Sequence, residues 1–199
     1  MSMIDVSNLT FGYEGSPELI FDHVGFQIDS GWKLGFTGRN GRGKTTFLRL
    51  LQGEYPYSGT ISASVEFEYF PYEVANLSRT GLEVVRKIAP EAEDWEIQRE
   101  LGLLDLAERS LELPFSSLSN GERTKVLLAA MFLKENAFLL IDEPTNYLDL
   151  EGRRKLGSYL ARKRGFLLVS HDRAFLDQCV DHILAINRTN IEIQRGNFS

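Results

Sequence analysis

Eight consecutive residues, Gly38-Arg39-Asn40-Gly41-Arg42-Gly43-Lys44-Thr45, carry the strongest chemical signal in this sequence. Glycines at these intervals let successive backbone N–H groups curl around an anion without Cβ clashes. Lys44 would set a compact positive charge between a β- and a γ-phosphate. The Thr45 hydroxyl suits Mg²⁺, and Thr46 stands directly behind it. The competing reading is a Gly-rich turn that binds nothing. The flanks weigh against it: Lys33 to Thr37 reads as a strand entering the loop, and Thr45 to Leu51 as a helix leaving it. That helix would add the positive end of its dipole to anion binding.

A second cluster is Phe138-Leu139-Leu140-Ile141-Asp142-Glu143, four apolar residues that end in two acids. A buried strand ending this way presents carboxylates at the sheet edge where α/β proteins bind ligands. Asp142 would hold Mg²⁺, directly or through water, and Glu143 would orient and deprotonate an attacking water. Alone, the pair reads equally well as a solvated strand end; the loop upstream of it favours the chemical reading. Leu118-Ser119-Asn120-Gly121-Glu122 precedes a helix expected over 122–133. Ser119 suits an N-cap, and Gly121 would let a phosphate approach the backbone. These residues alone do not choose between a capped helix start and an anion contact.

The elements that must position these groups follow from periodicity. Strands are expected at 4–9, 19–28 (broken near Asp22-His23), 60–62 and 65–70. From Thr80 the texture turns helical, with segments over 80–88, 94–101 and 104–111. Strands resume at 138–141, 165–169, 182–186 and 190–194, separated by helices over 150–162 and 173–179. Strand–helix alternation implies a mostly parallel α/β sheet. The expected division is a core of residues 1–72 and 136–199, with a helical subdomain over 73–135.

The whole chain sets outer bounds. Its 199 residues, 43% hydrophobic, suit one globular domain. A net charge of −6 argues against a free-standing nucleic-acid binder, which would carry a basic face. Cys179 is the only cysteine, so no intrachain disulfide forms; this fits a reducing cytoplasm. Met1 to Asp5 lacks the basic-then-apolar pattern of a signal peptide, and no apolar run reaches the length of a bilayer span.

Taken in order, the loop at 38–45, Leu118-Ser119-Asn120-Gly121-Glu122, Asp142-Glu143-Pro144-Thr145-Asn146 and Ser170-His171-Asp172 resemble the nucleotide-binding domain of the ATP-binding cassette (ABC) superfamily over nearly the whole chain. Asp142 to Asp149 is similar to the ABC-F class, soluble proteins with two tandem cassettes. The loop wording is similar to members that protect bacterial ribosomes from antibiotics. The resemblance implies an α/β phosphate-loop core with a small antiparallel β part, and MgATP bound and hydrolysed between two cassettes facing head to tail. It implies that Tyr13 stacks on adenine, with Phe11 as a rival, and that residues 38–46 (Gly38, Arg39, Asn40, Gly41, Arg42, Gly43, Lys44, Thr45 and Thr46) hold the phosphates. Ser119 and Gly121 would close over the partner cassette's nucleotide, Asp149 would communicate across the interface, and His171 would contact the γ-phosphate. Thr45 and Asp142 would hold Mg²⁺; Lys44, Glu143 and His171 would be catalytic. Arg195 to Ser199 is similar to the end of a first cassette, so a second cassette and the ribosome are the expected partners. The alternative is an ATPase cassette that drives membrane subunits. Three residues depart from the family pattern: Tyr72 and Asn120 stand where glutamine and glycine are usual, and Tyr147 where many ABC-F members have histidine. Tyr72 has no amide carbonyl to offer a metal. His23 and His182 read as ordinary satisfied polar residues.

Overall fold

In the computed structural model, residues 2–38 and 41–197 are described, with residues 41 and 42 described for their backbone alone. Ten alternating residues form β1 (Met3–Gly12), which pairs antiparallel with β2 (Leu19–Asp29) and with β4 (Ser58–Ser62) in a three-stranded sheet. The expected break near Asp22-His23 is a bulge within one continuous strand. His23 takes φ 50° and Asn8, on the facing strand, φ 51°, and the register shifts there. The His23 N–H donates to Thr10 Oγ1 at 3.0 Å, replacing the ladder bond that a bulge removes.

The larger sheet has six strands in the order β5-β6-β7-β3-β8-β9. These are β3 (Lys33–Thr37), β5 (Glu66–Phe70), β6 (Ala137–Asp142), β7 (Phe166–Val169), β8 (His182–Asn187) and β9 (Asn190–Arg195). The first five in that order run parallel, and β9 returns antiparallel to β8. The expected α/β class, a mixed and mostly parallel sheet with a small antiparallel part, therefore holds.

Continuous apolar runs on β6 and β7 follow from burial on both faces. Phe138 and Leu140, with Leu167 and Val169, face a core shared with the antiparallel sheet and with α1 (Gly41–Leu51), which contributes Phe47, Leu48, Leu50 and Leu51. Leu139 and Ile141, with Phe166 and Leu168, face the opposite core. That core takes in α2 (Gly81–Ile88), α3 (Asp94–Leu103), α5 (Asn120–Leu133), α6 (Leu150–Ala161) and α7 (Arg173–Cys179).

The helix expected over 104–111 shrinks to α4 (Arg109–Glu112). The cause is the C-terminus of α3. Asp105 takes φ 54°, Leu106 N–H donates to Leu101 C=O at 2.9 Å, and Asp105 N–H to Gly102 C=O at 3.2 Å. This pair of bonds is a Schellman stop, which turns the chain before it can propagate.

Candidate functional site

Strand register does most of the positioning. Phe36 on β3 and Asp142 on β6 both pair with Val169 on β7, so one row crosses three strands. The loop at 38–45, the acid pair and His171 all leave the sheet within a few residues of that row. Segments about a hundred residues apart in sequence therefore converge on one carboxyl-end edge.

Lys44 and Thr45 lie in the first turns of α1. That end of α1 carries no acid, while Arg42 and Lys44 fall among its first four residues. Cations at the positive end of a helix dipole are unfavourable unless an anion sits there. Thr46 is buried, and its Oγ1 lies 2.5 Å from the Tyr13 hydroxyl. The Tyr13 ring stands edge-on to Phe11 and Tyr55, at 5.0 and 5.7 Å between centroids. Phe11, the rival for stacking, is buried in the core. Arg39 and Asn40 lie outside the described residues, as does the Arg42 side chain.

Thr45 and Asp142 line one cavity of about 150 Å³, with Leu48, Arg49, Gln52, Glu54 and Tyr69 completing its wall. Two hard oxygen donors on one small cavity suit Mg²⁺, which takes few protein ligands and completes its shell with water and phosphate. Among the described residues no three His, Cys, Asp or Glu cluster as a metal cage would require. The Tyr69 hydroxyl donates to Asp142 Oδ2 at 2.8 Å. Burial, and then this bond, push the Tyr69 phenol well above its ordinary range, so it remains a protonated donor.

Glu143 takes φ 49°, uncommon for a residue with a side chain, and its N–H donates to Val169 C=O at 2.8 Å. That turn aims the carboxylate at His171. His171 Nδ1 meets Glu143 Oε1 in a close contact, and the His171 N–H reaches Oε2 at 3.4 Å. The His171 side chain is 87% exposed and that of Glu143 only 20%.

Ser119 caps α5: its Oγ accepts from Glu122 N–H at 3.1 Å, and Glu122 Oε1 accepts from Ser119 N–H at 3.1 Å. The Ser119 N–H, first among several donors, holds the Glu122 carboxyl below its usual range. At Gly121 an added Cβ would lie 3.2 Å from Leu148 Cδ2, so this helix start packs against the loop that follows β6. Asp149 caps α6, accepting from Gly152 N–H at 2.7 Å. Ser119 and Asp149 thus use their side-chain oxygens locally. Tyr72 and Asn120 share a cavity of about 340 Å³ with Asp142, Glu143 and Tyr147.

Sequence reasoning missed two residues. Tyr69 faces α1 from the strand beside Asp142, on the same face as Phe67, and nothing local in the sequence marks it. Glu100 is buried between Ile97, Leu101 and Leu104 on the apolar face of α3. It accepts from Lys163 Nζ at 2.6 Å and from Tyr159 Oη, which ties α3 to α6. His23 and His182 are satisfied as expected, by Asp22 and Asp181 at 2.6 and 2.8 Å.

No helix among the described residues is long and apolar enough to cross a membrane. The chain is 34% identical over 196 residues to the ribosome protection protein VmlR of Bacillus subtilis, covering 96% of this chain and 35% of that protein. It is 31% identical over 209 residues to ABC transporter F family member 5 of Arabidopsis thaliana, covering 100% of this chain and 30% of that protein. The chain thus spans about a third of the length of these relatives. Among solved structures, a bacterial Atm1-family ABC exporter with ATP bound shares the fold, with TM-score 0.76, 20% identity, and coverage of 98% of this chain and 38% of that one. Residues 21–146, which hold the loop at 38–45, the Ser119 helix start and the acid pair, match the ABC transporter family profile, and the chain belongs to that family as a P-loop ATP-binding domain.

Proposed function

We propose that this chain binds and hydrolyses MgATP as one member of a head-to-tail pair of cassettes, and that the pair drives a conformational cycle of the ABC-F type. The observation that carries this reading is the meeting of Thr45 with Asp142 in one cavity and of Glu143 with His171 beside it. The loop amides and Lys44 would hold the triphosphate tail, Tyr13 would meet the adenine, and Thr45 and Asp142 would hold the metal. When bound, Mg²⁺ would supply charge neutralisation for the triphosphate tail. Glu143 would take a proton from the attacking water as its oxygen bonds to the γ-phosphorus and the bond to the ADP oxygen breaks. The ring of His171 would hold the Glu143 carboxylate and sense the γ-phosphate.

The site is incomplete in one copy on this reading. Ser119 and Gly121 would serve the partner cassette's nucleotide, with Asp149 at the seam. Residues 73–135 would form the moving helical part and residues 1–72 and 136–199 the core. The relatives named for the F family and for ribosome protection support a cytoplasmic, ribosome-directed role. A cassette serving membrane subunits shares this chemistry and, as the exporter's ATPase illustrates, the fold. Copurification with membrane subunits would select that alternative.

The test is Glu143→Gln, which keeps the side-chain shape and removes the base. Turnover should fall about 10²- to 10⁴-fold while ATP binding persists. A variant hydrolysing ATP at the unaltered rate would remove Glu143 from this role.

A further inference from the structure

On the MgATP reading, the end of β6 presents a carboxylate to a metal, yet an Asp side chain at a strand terminus has rotamers to choose among. Tyr69 settles that choice. On β5 it pairs with Leu140, so Asp142 lies two residues further along the neighbouring strand, on the same face. The phenol spans this diagonal and donates to Asp142 Oδ2 at 2.8 Å. Both residues line the cavity that Thr45 enters. The preceding residue on this face of β5 is Phe67, which packs into the same core with no hydroxyl. Apolar packing alone would therefore be served by a second phenylalanine.

We propose that Tyr69 is a positioning residue for the metal site: its hydroxyl fixes the Asp142 carboxylate so that the remaining oxygen is turned toward the ion. This rests on the MgATP reading above. Hydrogen-bond partners that orient a ligating group tune metal affinity, often as strongly as a weak ligand does. Tyr69 acts through Asp142, the carboxylate its hydroxyl holds.

The experiment uses the 199-residue chain and its Tyr69→Phe variant, which keeps the ring. A fluorescent, non-hydrolysable ATP analogue is titrated in EDTA and then across a Mg²⁺ series. Mn²⁺ paramagnetic resonance of the nucleotide-saturated protein reads the metal environment directly. Affinity in EDTA should match wild type, while the Mg²⁺ concentration for half-maximal enhancement should rise about tenfold in the variant. The Mn²⁺ spectrum should broaden as its carboxylate ligand loses a fixed orientation. Equal loss of affinity with and without metal would reduce Tyr69 to a packing role and overturn the proposal. Identical metal dependence and Mn²⁺ spectra in the two proteins, with wild type responding to Mg²⁺, would also overturn it and leave the MgATP reading standing. A wild-type protein whose nucleotide binding ignores Mg²⁺ would bring down both.

Discussion

Glu143 and Cys179 show how local surroundings set what a side chain can do. Glu143 is bent into the left-handed region, where its carboxylate meets His171. A residue held there costs on the order of 1 kcal/mol, and the bond to Val169 helps fix it. Cys179 is the opposite case. Burial pushes its thiol from an ordinary 9.0 up to about 12. A thiol that stays protonated is a poor nucleophile, so Cys179 should resist iodoacetamide at pH 8.5 until the protein unfolds; rapid labelling of the native chain would contradict its burial. The folded state holds its proton longer than the unfolded state, so this contribution is intact below about pH 9 and is lost as pH rises toward 12. The residue types of the site were legible in the sequence because backbone curvature, charge and metal preference each demand particular side chains at fixed offsets. Tyr69 was not legible, because its role depends on which strand lies beside it. Glu100 could have been seen, since a lone acid among Ile97, Leu101 and Leu104 at helical spacing must find buried partners.

Among the elements, most helix ends are legible and two starts are not: α1 begins at Gly41 and α5 at Asn120, where 45 and 122 are expected, while the ends at 51, 88, 133 and 179 agree. Ser119 with Glu122, and Thr80 with Glu83, form capping boxes whose partners stand three residues apart in sequence. Ser119→Ala should lower the stability of the chain by about 1 kcal/mol, read by urea unfolding. An unchanged midpoint would show that α5 does not depend on this cap. A break after 101 is legible, but the segment 104–108 is not helical as expected, because Asp105 takes a left-handed conformation, which glycine would have advertised and aspartate does not. In the sequence the bulge at His23 shows only as an interruption of the strand pattern. Its continuity depends on Thr10 from the neighbouring strand, a contact with no local signature.

At the scale of the whole molecule, the class of sheet was legible from strand–helix alternation, but the strand order was not. Nothing local in 33–37 announces that β3 lies between β7 and β8, or that β5 lies against β6 across the intervening helices. The site exists because of that order, since it brings the loop, the acids and His171 to a common row. The proposed pairing of cassettes also belongs to this scale. If each signature helix serves the other copy's nucleotide, specific ATPase activity of the isolated chain should be low and should rise with protein concentration. Brisk turnover, constant on serial dilution of a monomer, would contradict an interfacial site.

The central claim is that the edge formed by β3, β6 and β7 holds a triphosphate with Lys44 as its principal cation. Isothermal titration of a non-hydrolysable MgATP analogue into wild type and Lys44→Ala tests it most directly. Loss of a charge-assisted bond to phosphate should weaken binding about 10- to 100-fold in the variant, with its unfolding transition retained. Equal affinity in the two proteins would contradict the account.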